Sequence, residues 1–153
     1  KSLYKLLSSD DFRNKIDWRK VFLFFGDERN VPPDSEESNF RMANESLLKP
    51  LQIAEDNIFR WQTELDNPTK TAEKYVERIE AFFNLDKNGF PQFDLILLGM
   101  GDDGHTASLF PFTEALNETE KTAAANFVEK LETTRLTLTF PVINNARNVI
   151  FLI

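Results

Sequence analysis

Apolar runs of strand length alternate along this chain with segments whose apolar positions recur at helical spacing. Leu3, Leu6 and Leu7 follow the i, i+3, i+4 pattern of a short helix ending near Ser8-Ser9-Asp10. Val21 to Phe25 (VFLFF) is a continuous apolar run closed by Gly26, the pattern of a strand buried on both faces in a parallel sheet. Phe40, Ala43 and Leu47 line one side of a helix expected after Ser35 and closed by Pro50, and Ile58 to Trp61 is a short candidate strand. Asn67-Pro68 pairs a capping residue with proline at the first helical position. The helix it opens carries Ala72, Tyr75, Val76, Ile79, Phe82 and Phe83 on one stripe and is expected to end at Asn88-Gly89.

Phe93 to Leu98 (FDLILL) predicts a second buried strand, running into the glycine-rich stretch Gly99 to Gly104. Leu136, Leu138 and Phe140 alternate with Thr137 and Thr139, a period-2 strand expected to end at Pro141, and Asn148 to Ile153 is a further strand-like run. Strands separated by helices predict an α/β fold with a mostly parallel sheet, in which ligands collect beyond the carboxyl ends of the strands. The segments leaving the two most apolar strands are Gly26-Asp27-Glu28-Arg29 and Gly99 to His105, both dense in glycine and charge. A site is expected there.

Composition narrows the chemistry. The 153 residues, 41% of them hydrophobic, suit one domain with a core. Cysteine is absent and histidine occurs once, which excludes disulfides, thiol nucleophiles and Cys-based zinc sites within this sequence and sends any histidine catalysis through His105. A net charge of −7 argues against a nucleic-acid partner, which needs a clustered basic face. No stretch reaches the roughly 18 apolar residues of a membrane-spanning helix.

Gly99, Gly101 and Gly104 satisfy G-x-G-x-x-G directly after a strand, but Asp102 and Asp103 would bring carboxylates to the pyrophosphate that such a loop holds. Neither Glu118 nor Glu120, in a polar non-strand segment, suits the acid expected about 20 residues further on. A dinucleotide site is therefore disfavoured. Asp102, Asp103 and His105 have the donor types of a divalent-metal site, yet three donors on one tight loop rarely converge. His105 as a general base or acid, oriented by Asp103, weighs more than a turn-capping histidine because it lies on a glycine loop after a buried strand. Arg29 leaves a strand at the same sheet edge and can bind a phosphate bidentately, against the alternative of a solvated charged turn. Arg135 is a weaker candidate for the same task, and Asp27 is placed to hydrogen-bond a sugar hydroxyl or hold Arg29.

GDERNVPPDSEESNF at 26–40, LILLGMGDDGHTASLFP at 95–111 and RLTLTFPVINNARNVIFLI at 135–153 together resemble the 6-phosphogluconolactonases. The resemblance implies an α/β fold of three layers, Rossmann-like and shared with the glucosamine-6-phosphate deaminases, and a phosphorylated sugar lactone as substrate in the pentose phosphate pathway. It implies that His105 activates water, Asp103 supports it, Arg29 binds the substrate phosphate and Asp27 lies beside the sugar. Gly101 and Arg135 join them as substrate-binding candidates, and backbone N–H groups of the glycine loop as donors to an oxyanion. No metal or redox cofactor is needed, and a cytoplasmic location is implied. The sister deaminases have Asn-Glu-Pro where this sequence has Leu109-Phe110-Pro111, and usually Asp-Glu-Tyr where it has Asp27-Glu28-Arg29. Both departures favour the lactonase over the deaminase, and a non-catalytic sugar-phosphate binding module is the remaining alternative. The resemblance also implies a Gly-Gly-Ser loop ahead of Lys1-Ser2-Leu3 and a Gly-x-x-x-Lys segment after Ile153. Neither is in this sequence, so residues 1–153 are expected to be one domain that is incomplete at both ends.

Overall fold

The computed structural model of the chain describes residues 1–65, 67–86 and 89–152. Its parallel strands form two pairs. Strand β1 (Leu23–Phe24) lies beside β3 (Ile58–Phe59), with Leu23 opposite Ile58, and β4 (Ile96–Leu98) lies beside β7 (Val149–Phe151), with Ile96 opposite Val149. Parallel pairing follows the sequence pattern, but burial on both faces does not. On β4, Ile96 and Leu98 are buried whereas Leu97 is 39% exposed, and Phe22, just before β1, is 45% exposed. Successive side chains of a strand point to opposite faces, so a continuous apolar run makes both faces apolar without saying that both are covered. β1 is also shorter than its apolar run, because only two of the run's residues pair.

A second sheet is antiparallel, in the order β2-β6-β5: β2 is Asp27–Arg29, β5 is Ala123–Val128 and β6 is Thr133–Leu138. The charged tripeptide after Gly26 is thus a strand, not a turn. Its register sets Asp27 opposite Thr137 and Arg29 opposite Arg135. β5 and β6 form a hairpin whose connection is a 3-10 turn, Glu129–Leu131, closed by Glu132 in the left-handed region at φ 49°. β6 begins three residues before its period-2 core and ends at Leu138. Phe140 starts helix α5 (Phe140–Asn144) instead of continuing the strand, and Pro141 occupies the first turn, where a missing N–H costs nothing.

The helices follow their caps. α1 spans Ser2–Leu7, as the leucine spacing predicts. α2 (Asn39–Ala43) starts later than Ser35, with Ser38 as the cap accepting from the Arg41 N–H. It continues through a π-helical stretch, Asn44–Leu48, into α3 (Lys49–Leu51), so Pro50 lies inside the last turn and left-handed Gln52 ends it. α4 (Pro68–Phe83) begins as predicted, Asn67 Oδ1 accepting from the Thr69 and Lys70 N–H groups. It stops at Asn84, in the left-handed region, earlier than Gly89; Asn88 is outside the described residues, as is Ile153 in the final run. Tyr75, Ile79, Trp61, Leu136 and Val142 are among the fully buried side chains of the core. Tyr75 Oη lies 2.9 Å from the Phe25 carbonyl oxygen and Trp61 Nε1 donates to it at 3.0 Å, which fixes the chain where β1 gives way to β2. Among the described residues no helix is long and apolar enough to cross a membrane.

Candidate active site

A cavity of about 550 Å³ opens where β1 and β4 end, and Tyr4, Asp27, Arg29, Asn39, Gly101 and His105 are among its lining residues. The two segments singled out by their position after apolar strands therefore meet at one opening. Arg135 joins from β6 through its register with Arg29.

The loop after β4 is tied to itself. The Gly101 N–H donates to the His105 carbonyl, the Gly104 N–H to the Gly101 carbonyl, and the Thr106 hydroxyl to the Gly99 carbonyl, each at 2.9 Å. Gly104 takes φ +81°, a conformation that side chains rarely adopt. Gly101 has a different reason to be glycine: a Cβ there would lie 2.2 Å from His105 Cε1 and 2.3 Å from Nδ1. The imidazole packs on bare backbone. Its other surroundings are Phe110, stacked at 3.9 Å between ring centroids and 22° between planes, and Asp103, whose Oδ1 lies 2.5 Å from Nδ1. A carboxylate on Nδ1 keeps the proton there and leaves the Nε2 lone pair free. The amides of Gly101 and Gly104 are engaged within the loop, so they are not the oxyanion donors expected of it. Among the described residues no three His, Asp or Glu side chains converge, so Asp102, Asp103 and His105 do not form a donor set.

On the other side of the opening, Asp27 accepts from the Ser108 hydroxyl at 2.8 Å and more weakly from Asn39 Nδ2. Burial raises its carboxyl above the usual range, against the pull of Ser108 and of the nearby Arg29, Arg135 and His105 charges. Arg29 donates to the Glu37 carbonyl. Burial lowers the Arg135 guanidinium below its usual range and the charge of Arg29 adds to this, so two cations face each other with repulsion unrelieved.

Glu28, between Asp27 and Arg29 in sequence, points the opposite way. It is 2% exposed, and its carboxylate accepts from the Asn39 and Phe40 N–H groups at 2.7 Å, the Arg29 N–H at 2.8 Å and the Ser38 hydroxyl at 3.2 Å. It thereby clamps the start of α2 onto β2 and sets Asn39 against Asp27. Sequence reading assigns no part to Glu28, Asn39, Ser108 or Lys130. The alternation of Asp-Glu-Arg along a strand is the one signal that could have turned Glu28 inward, and it is invisible while the segment is taken for a turn.

The family model described as glucosamine-6-phosphate isomerases/6-phosphogluconolactonase matches residues 1–153. The chain is 43% identical over 153 residues to a 6-phosphogluconolactonase of Synechocystis, covering all of this chain and 61% of that protein. It is 41% identical to one of Nostoc over the same shares. A solved 6-phosphogluconolactonase of Trypanosoma cruzi superposes with a TM-score of 0.86 at 33% identity, over 98% of this chain and 62% of that one. The corresponding figures for the Thermotoga maritima structure are 0.83, 35%, 98% and 63%. The chain thus spans about three fifths of the length of the proteins it is similar to.

Proposed function

The chain belongs to the glucosamine-6-phosphate isomerase/6-phosphogluconolactonase family, and from that premise we propose that the protein hydrolyses 6-phospho-D-glucono-1,5-lactone to 6-phospho-D-gluconate, a step of the pentose phosphate pathway. The observation that carries this reading is the free Nε2 of His105 at the cavity, with Nδ1 held by Asp103. A lactone is an activated ester. Nε2 takes a proton from water as the oxygen attacks the carbonyl carbon, and the imidazolium then returns a proton to the departing ring oxygen. Asp103 stabilises the charged ring between these events. Arg29 and Arg135 are the candidate phosphate ligands, since an anion between them relieves their repulsion. Asp27 faces the sugar hydroxyls, and Gly101 leaves the room that His105 needs. Phe110 stacks on His105, so the ring's neighbour there is aromatic and apolar, where the deaminase loop carries a glutamate.

The test is hydrolysis of 6-phosphogluconolactone above its spontaneous rate by the polypeptide that carries this sequence and by its His105→Ala variant. A loss of about 10³-fold is expected, within the usual range for a positioned proton-transfer group. Equal rates would remove His105 from the role of base. An inactive parent that still binds 6-phosphogluconate would instead be a binding module, and ammonia release from glucosamine 6-phosphate would point to a deaminase.

A further inference from the structure

Asp103 has a second partner. While Oδ1 faces His105, Oδ2 receives the ammonium of Lys130, which arrives from the 3-10 turn between β5 and β6. Lys130 Nζ also lies over the Phe110 ring, 4.9 Å from its centroid, and the same ring stacks on His105. Lysine, carboxylate, imidazole and phenyl ring thus form one closed group, assembled from the loop after β4 and a turn far along the chain.

We propose that Lys130 is a positioning residue for the hydrolysis, neutralising and aiming Asp103 so that His105 is held by its carboxylate without being kept protonated by it. The inference rests on the lactonase reading and deepens it. A carboxylate in contact with imidazole favours the imidazolium, and an imidazolium has no lone pair with which to take a proton from water. An ammonium on the far oxygen offsets that preference while leaving the Asp103–His105 contact in place. The other charges near His105 do not do this. Asp27, from β2, adds a further negative group, Arg29 and Arg135 flank Asp27, Tyr4 of α1 lies close enough to Asp27 to feel its charge, and Asp102 is exposed on the loop. Lys130 is the cation in direct contact with the carboxylate that holds the ring.

Lys130→Met and Lys130→Gln remove the charge from a half-exposed side chain, and Lys130→Arg keeps it. The experiment measures kcat/KM against pH for these proteins, with the spontaneous rate subtracted, and follows the imidazole signal of His105 by NMR without substrate, assigned by comparison with His105→Gln. In the two neutral variants the acid limb of the rate profile and the NMR midpoint should both move to higher pH by about one unit. Activity near pH 6 should fall about tenfold while the high-pH plateau stays close to that of the parent. Lys130→Arg should restore both curves. A uniform loss of rate with neither curve moved would overturn the proposal, as would parental curves in Lys130→Met. If the parent proves inactive, the lactonase reading fails, and the NMR midpoints still decide whether Lys130 acts on His105.

Discussion

Asp27 has opposite requirements in folding and in function. Its carboxyl is raised by burial, so the folded state holds that proton more tightly than the unfolded chain. For an acid shifted in this direction the stabilising contribution is complete below the unfolded value and is lost as pH rises through the folded one. At neutral pH the ionised side chain therefore costs stability. Asp27→Asn, which keeps the Ser108 hydrogen bond, should raise Tm at pH 7 and flatten its fall between about pH 4 and 7, while turnover drops. Thermal melts across that range check it, and a Tm lowered at every pH would refute the account. This residue was legible as a candidate because it follows an apolar strand and a glycine. Lys130 was not, since nothing in Glu129-Lys130-Leu131 separates a solvated turn from a contact with Asp103.

Among the elements, the join between β2 and α2 depends on one buried carboxylate. Glu28→Ala would leave the Asn39 and Phe40 amides and the Ser38 hydroxyl without their acceptor. A loss of about 3 kcal/mol is expected, because donors to a charged group stay buried without it. Chemical denaturation measures this, and a loss below about 1 kcal/mol would mean that water replaces the carboxylate. The sequence showed α1, the start of α4 and the parallel pairs, each marked by periodicity or a cap. It did not show β5, because Ala123-Ala124-Ala125 has little strand preference and pairs only because β6 is beside it. The later start of α2 has the same kind of cause: Ser35 and Ser38 are equally good caps in isolation, and Glu28 decides between them from another strand.

For the molecule as a whole, the uncovered side of β4 and β7 sets its behaviour in solution. Leu95, Leu97, Val149, Ile150, Phe151 and Leu152 are all exposed on or beside two adjacent strands, more contiguous apolar surface than a lone soluble chain commonly shows. Residues 1–153 taken alone should bind an apolar dye and self-associate, and Leu97→Lys with Ile150→Lys should reduce both. Light scattering and dye fluorescence test this, and a monomer that binds no dye would contradict it. The facing guanidiniums of Arg29 and Arg135 belong to the same scale. They come from strands far apart in sequence and oppose each other only in the native register, since a slip of one residue turns one of them to the other face. A dianion seated between them would bind the folded state and no other, so its concentration would act as a thermodynamic weight on the β2–β6 register. The substrate's phosphate would then do more than locate the sugar: it would hold closed the strand pairing that builds its own binding site.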